Sequence, residues 1–88
     1  MNTLSILPNQ QPTYNLFMDK KPVNIEFGAR LKAARNAKGM TLQQVADALH
    51  IGLRSYQNYE AGDRCPSLDG LIAISRTLDV SVDSLLGL

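Results

Sequence analysis

The most constraining feature of this sequence is a pair of short amphipathic segments separated only by residues 50 to 52. In the first segment Thr41 and Gln44 have the spacing of a capping box, a pair of polar side chains that begins many helices. The apolar residues of this segment keep helical spacing: Leu42, Val45, Ala46 and Leu49. The pattern predicts a short helix that starts after Thr41 and ends before His50.

The pattern of the second segment predicts a helix from Leu53 to Ala61. Tyr56 and Tyr59 lie three positions apart, so we expect both on its buried side, where aromatic side chains pack into a core. Gly62 is expected to end the helix, because glycine readily adopts the left-handed conformation found at helix C-termini.

Three further helices are predicted around this pair. The first carries an apolar stripe of Phe27, Leu31 and Ala34, and Gly39 is expected to end it. Ser67 is expected to cap a fourth helix and Ser81 a short last one. The inner stripe of the fourth helix is predicted to be Leu68, Leu71, Ile74, Ser75 and Leu78. The fold class is therefore all-α, a compact bundle of five helices within residues 25–88.

Residues 1–24 have a different character and are predicted to form an extended or flexible N-terminal arm. They hold three of the four prolines and no sustained helical period. Apolar Tyr14, Leu16 and Met18 alternate with Asn15 and Phe17, which favours one short strand if another strand edge is available.

Composition excludes several classes of protein. With 88 residues there is room for one small domain, and one cysteine and one histidine cannot form an internal disulfide or a multi-cysteine metal site. No apolar run approaches the roughly 18 residues of a membrane helix. The start of the sequence also has no basic region before an apolar stretch, so we expect a cytoplasmic protein. We find no catalytic Cys/His pair, phosphate loop or paired carboxylates, so we expect a non-enzymatic protein without metal or cofactor.

Charge is unevenly distributed along the chain. Residues 25–66 carry six basic and four acidic residues, whereas residues 67–88 carry one basic and three acidic ones. Electrostatic footprints are local, so an anionic partner is expected to meet the middle of the chain.

These residues together resemble the Cro and phage-repressor family, which is also called XRE-like. The positions that carry the resemblance are Gly28, Leu31, Arg35, Gly39, Ala46, Leu49, Glu60, Gly62, Pro66, Leu78 and Val80. The resemblance runs from about Phe27 to Leu86. It implies a lambda-repressor-like fold in which the two short helices form a helix-turn-helix, and a sequence-specific transcriptional regulator, expected to be a repressor, that binds double-stranded DNA.

The resemblance also implies which residues read base edges in the major groove. They lie on the third helix and face outward: Leu53, Arg54, Gln57 and Asn58. The alternative is that these side chains form an ordinary solvated helix face.

Phosphate contacts are implied at the start of the second helix and in the loop after the third. The residues concerned are Thr41, Gln43, Gln44 and Arg64. For Gln44 the capping box alone is an equally good explanation. The resemblance assigns Arg35 and Glu60 to an ion pair that joins the first helix to the third, and the alternative for Arg35 is a phosphate contact.

Three positions depart from the family pattern. Leu42 replaces a polar residue that usually contacts phosphate, so that contact is expected to be lost. His50 replaces a glycine in left-handed conformation, at some cost in strain. Gly52 replaces a serine or threonine cap, which costs only a few tenths of a kcal/mol.

A domain of this size usually achieves selectivity as a two-fold dimer on a pseudo-palindromic operator. Apolar Ile72, Leu86 and Leu88 are the candidates for the homodimer surface; a monomer that exposes them is the alternative. The arm could pair with a partner's arm, follow the DNA backbone with its basic residues 20 and 21, or stay disordered. A different function on the same fold is protein interaction, as an antitoxin or adaptor that binds a protein partner through the arm.

Overall fold

The computed structural model describes residues 21–88, which form five α-helices and no strand within that range. The prediction of an all-α fold with five helices is confirmed for this part of the chain. The helices are α1 (Pro22–Lys38), α2 (Leu42–Ala48), α3 (Leu53–Ala61), α4 (Leu68–Leu78) and α5 (Val82–Leu86). Residues 1–20, and with them the alternating segment from Tyr14 to Met18, lie outside the described residues.

Helix α1 begins at Pro22, earlier than its apolar stripe indicates. Proline suits the first helical position, because its fixed φ matches the helix and no helical bond needs its missing N–H. The amides of Asn24 and Ile25 donate to the carbonyl of Lys21, at 2.9 and 3.1 Å. The sequence therefore placed the helix start too late: residues 22–24, assigned to the arm, form the first turn of α1.

Local capping fixes most of the other helix ends. The Thr41 hydroxyl accepts a hydrogen bond from the Gln44 amide, and the Gln44 side chain accepts one from the Thr41 amide, so the capping box is complete. The hydroxyls of Ser67 and Ser81 likewise cap α4 and α5. These bonds satisfy N–H groups that have no partner within their own helix.

The core lies where α1 meets the other helices. Its buried side chains are Phe27, Leu31, Val45, Ala46, Tyr56, Ile74, Leu78 and Leu85. On α4 the predicted inner stripe holds for Ile74 and Leu78, while half-buried Ser75 donates its hydroxyl to the Val80 carbonyl. Leu68 is 79% exposed, so its predicted place on this stripe is wrong. It is the first residue of α4.

Helices α1 and α3 approach each other at Gly28. A Cβ atom at this position would collide with the Glu60 carbonyl oxygen and would lie 2.8 Å from that of Tyr59. Both neighbours are main-chain atoms and cannot rotate away. The absence of a side chain at Gly28 therefore determines how closely the end of α3 packs on α1.

None of the helices within residues 21–88 is long and apolar enough to cross a membrane. The same part of the chain contains no group of three or more histidine, cysteine or acidic side chains arranged to hold a metal ion.

Candidate nucleic-acid interface

A tight turn joins α2 to α3. Leu49 is the C-cap of α2, and His50 follows with a φ of 58°, in the left-handed region. The amide of Ile51 donates to the carbonyl of Ala46 at 3.0 Å, which closes the turn against the preceding helix. The histidine thus adopts the conformation that a glycine would adopt with less strain.

Ala46 lies at the contact between α2 and its neighbours and is fully buried. A methyl group there lets the helices pack closely, since interaxial distance depends on the side chains at the crossing. The two helices are therefore held as one rigid unit by a small buried residue and a hydrogen-bonded turn.

Arg35 and Glu60 join α1 to α3 through two parallel hydrogen bonds. Arg35 Nε donates to Glu60 Oε2 at 2.6 Å, and Nη2 donates to Oε1 at 3.1 Å. The third donor, Nη1, bonds the carbonyl of Met40, in the turn that leads into α2, at 3.0 Å. The guanidinium is thus engaged inside the protein, which argues against the alternative of a phosphate contact.

Tyr56 completes this network, and sequence reasoning missed its role. Its hydroxyl donates to Glu60 Oε2 at 2.6 Å, so the carboxylate accepts bonds from both Arg35 and Tyr56. The signal was present in the sequence, because residues four apart on a helix share a face. Tyr59 contacts the Tyr56 ring edge to face, with centroids 6.4 Å apart.

The network shifts two pKa values in the same direction. The hydrogen bond to Glu60 raises the pKa of Arg35 above its usual value. Burial, followed by the hydrogen bond to Glu60, raises the pKa of Tyr56 well above that of a free tyrosine. Arg35 thus stays charged and Tyr56 stays a hydrogen-bond donor at any pH near neutrality.

The opposite side of α3 faces solvent. Arg54 and Gln57 are exposed, and Leu53 and Asn58 are half-buried. The side chains of Arg54, Gln57 and Asn58 make no hydrogen bond or ion pair among residues 21–88. Their donors and acceptors are therefore available to a ligand along one helix face.

The polar side chains at the start of α2 are exposed but already partly engaged. The Gln43 amide nitrogen donates to Asp47 Oδ1 at 2.9 Å, and Thr41 and Gln44 form the capping box. Each keeps at least one donor: the Thr41 hydroxyl hydrogen, the Gln44 amide group and the second Gln43 amide hydrogen.

Arg64 lies exposed in the loop that follows α3. The Asn58 carbonyl accepts hydrogen bonds from the amides of Asp63 and Arg64, at 3.0 and 3.3 Å, and so holds the start of this loop against the end of α3. The loop lies near the start of α1, where a Cβ on Gly62 would meet Ile25 at 3.0 Å.

The three apolar residues considered for a dimer surface are all exposed: Ile72 by 46%, Leu86 by 39% and Leu88 by 88%. They do not form one cluster in a groove. Leu86 lines a groove with Val23 and Leu71, whereas Ile72 lies outside that groove on α4.

The family model described as helix-turn-helix matches residues 31–85. This range includes α2, the turn and α3, and it covers more than half of the chain. The chain therefore belongs to the helix-turn-helix family, and to its Cro/C1-type, XRE-like branch.

Curated relatives and solved structures agree with this assignment. The HTH-type transcriptional regulator YobD of Bacillus subtilis is 44% identical over 59 residues, covering 67% of this chain and 53% of the relative. The phage CTXphi transcriptional repressor RstR of Vibrio cholerae is 40% identical over 58 residues, covering 66% of this chain and 52% of the relative. The chain thus spans about half the length of the curated relatives it matches.

Among solved structures, the fold is similar to the biofilm regulator SinR in complex with DNA, with a TM-score of 0.64, 33% identity, and coverage of 68% of this chain and 97% of that one. It is also similar to the restriction-modification controller protein C.AhdI of Aeromonas hydrophila, with a TM-score of 0.65 and 28% identity. The match covers 69% of this chain and 92% of that one.

Proposed function

We propose that this protein is a sequence-specific DNA-binding transcriptional regulator that inserts α3 into the major groove. One observation carries the proposal: α3 is fixed from its inner side by Tyr56 and Glu60, while its outer side presents unengaged polar side chains. A rigid helix with a free polar face meets the requirement for reading base edges.

The chemistry of these side chains indicates what they read. Arg54 can donate two hydrogen bonds to the N7 and O6 atoms of guanine. Gln57 or Asn58 can donate to N7 and accept from the N6 amino group of adenine, and Leu53 can contact a thymine methyl group. Each bidentate pairing discriminates against a wrong base by about 1 to 3 kcal/mol.

Phosphate contacts would set the docking position without reading sequence. Thr41, Gln43 and Gln44 supply neutral donors at the start of α2, and Arg64 supplies a positive charge beyond the end of α3. Leu42 is half-buried and has no polar group, so this site would make fewer phosphate contacts than the family pattern provides.

A homodimer on a pseudo-palindromic operator in the cytoplasm is the arrangement we propose for selective binding, with Ile72, Leu86 and Leu88 as candidate contact residues. Repression by occupying a promoter is the proposed mode of action. The relative RstR is named a repressor, which supports this choice.

The test is a binding selection on random duplexes, followed by titration of the enriched and a scrambled duplex at two salt concentrations. We expect a two-fold site held at least about 10³-fold tighter than scrambled DNA. Binding that is equally weak on both duplexes and equally lost with salt would contradict base reading. That result would direct the search to a protein partner of the antitoxin or adaptor type.

A further inference from the structure

Helix α4 has an outer face that no part of residues 21–88 covers. The inner side of the helix is buried at Ile74 and Leu78. Since successive residues of a helix are about 100° apart, the positions opposite these two form one continuous strip. All five residues of the strip are exposed: Leu68, Asp69, Ile72, Ala73 and Arg76. We call this strip the outer α4 face.

Two large aliphatic side chains form the apolar part of the outer α4 face. Leu68 is 79% exposed and Ile72 is 46% exposed. They lie four positions apart, so they are neighbours on successive turns of the helix. Burying them under another apolar group is favourable by about 25 cal/mol per Å². The face therefore gains stability from a partner that covers it.

The same face carries one charge of each sign. Asp69 lies in the first turn of α4 and Arg76 in the last turn. They are separated by two turns, about 10.5 Å along the axis. Neither side chain makes a hydrogen bond or ion pair within residues 21–88. Both charges are therefore available to a partner.

The order of these residues makes the outer α4 face complementary to itself. When two copies of a helix pack antiparallel around a two-fold axis, residues at equal distances on either side of the axis meet. Asp69 and Arg76 are equally far from the midpoint between Ile72 and Ala73. An axis through this midpoint places Asp69 of each copy opposite Arg76 of the other, so that two ion pairs form together.

We propose that a second copy of this protein docks on the outer α4 face, with the two α4 helices antiparallel and the two-fold axis between Ile72 and Ala73. In this register Ile72 of each copy packs against Ala73 of the other, whose small side chain lets the helices approach closely. The inference rests on the homodimer of the proposed function, and it narrows the candidate contact residues named there to Ile72.

Two observations favour a second copy over other partners. A surface that binds DNA is expected to be basic, whereas this face has one acidic and one basic residue and no net charge. A different protein partner requires no symmetry in the face that it contacts. The charges of the outer α4 face are instead arranged symmetrically about its own centre, as a contact between identical copies requires.

The size of the contact sets the expected strength of the dimer. Helix α4 has 11 residues, which corresponds to a length of about 16 Å. Two helices of this length bury less than the roughly 1,200 to 2,000 Å² of a stable protein interface. We therefore expect a weak dimer without DNA, with monomer and dimer both populated at about 100 μM protein.

Charge reversal tests the pairing, with association measured by sedimentation equilibrium without DNA. Asp69→Arg brings like charges together at both pairing positions, and so does Arg76→Asp. Each variant alone should associate at least about tenfold more weakly than the natural chain. In an equimolar mixture of the two variants the heterodimer again has opposite charges at both positions. The mixture should therefore associate about as tightly as the natural chain.

Leu88→Asp is the matched control, because it adds a charge at an exposed apolar residue outside α4. It should leave association unchanged. Circular dichroism checks that each charge-reversal variant is folded, since both reversals oppose the helix dipole. Recovery in the mixture cannot come from a change in helix stability, because each chain in it keeps its own substitution.

A natural chain that stays monomeric up to about 1 mM would overturn the inference. Equal association of all the variants, or a mixture that associates no more tightly than its components, would overturn it as well. Loss of association in Leu88→Asp alone would place the dimer contact at the end of α5 instead. These results are independent of base reading, which the titration of selected and scrambled duplexes measures separately.

Discussion

Arg35 and Glu60, 25 positions apart in the sequence, meet in a two-bond ion pair whose side chains are 11% and 9% exposed. The pair links the end of α1 to the end of α3. A third bond from Arg35 to the Met40 carbonyl extends the link to the turn before α2. One guanidinium therefore joins the three helices that position the proposed DNA-reading surface.

Arg35→Ala is expected to lower the free energy of unfolding by about 2 to 4 kcal/mol. The substitution leaves the Glu60 carboxylate charged and largely shielded from water, with only Tyr56 as a partner. Urea titration followed by circular dichroism measures the change. Lys32→Ala, which removes an exposed cation from the same helix, should change stability by less than about 0.5 kcal/mol. Equal effects would show that the ion pair has no special role.

Tyr56→Phe is expected to lower the free energy of unfolding by about 1 to 2 kcal/mol at neutral pH, because the hydrogen bond to Glu60 is lost. Tyr59→Phe, whose hydroxyl has no hydrogen bond within residues 21–88, is the matched control and should have a smaller effect.

Tyr56 should also make stability depend on pH in the alkaline range. Its pKa is raised in the folded state, so the unfolded chain releases this proton first, above about pH 10. The unfolded state then binds fewer protons, and stability falls as the pH rises further. This decline should be shallower in Tyr56→Phe. An identical alkaline slope in both proteins would argue that the phenol is accessible to water.

Gly28→Ala is expected to destabilise the fold by about 1 to 3 kcal/mol, because the added methyl group would meet main-chain carbonyls of α3. The contrasting change is Gly52→Ser, at a position with open space and no side-chain cap. A serine there should raise the free energy of unfolding by a few tenths of a kcal/mol. Thermal unfolding of both variants tests these two predictions. A neutral Gly28→Ala would mean that α3 can shift on α1 without cost.

Arg54→Ala and Asn58→Ala are expected to leave the thermal midpoint nearly unchanged, since neither side chain has a partner within residues 21–88. Each should weaken binding to the selected duplex by about 1 to 3 kcal/mol and binding to scrambled DNA by less. Arg64→Ala, which removes a proposed phosphate contact, should instead weaken binding to both duplexes alike. An equal loss on both duplexes for Arg54→Ala would contradict its reading role.

Much of the helical framework follows from local signals in the sequence. The capping box of Thr41 and Gln44 and the glycine stops at Gly39 and Gly62 depend on groups within a few residues, so spacing alone predicts them. The left-handed backbone of His50 is likewise a property of one turn position.

Features that depend on distant contacts were less predictable. The first turn of α1 contributes no residue to the buried core, and a hydrophobic period does not reveal a turn that lies outside the core. Leu68 has the right spacing for the core, but spacing does not tell where the neighbouring helices end. The site residues on α3 came from a resemblance, and the structure adds that the side chains of Arg54, Gln57 and Asn58 make no hydrogen bond or ion pair within residues 21–88.

The division of α3 into an inner and an outer face has a consequence for how such proteins diversify. The side chains of Glu60 and Tyr56 carry hydrogen bonds that hold the fold, whereas those of Arg54, Gln57 and Asn58 make no hydrogen bond or ion pair among residues 21–88. Substitutions on the outer face should therefore alter recognition without a stability penalty. On the proposed function, a lineage built on this scaffold would acquire new operators one residue at a time while each intermediate stays folded.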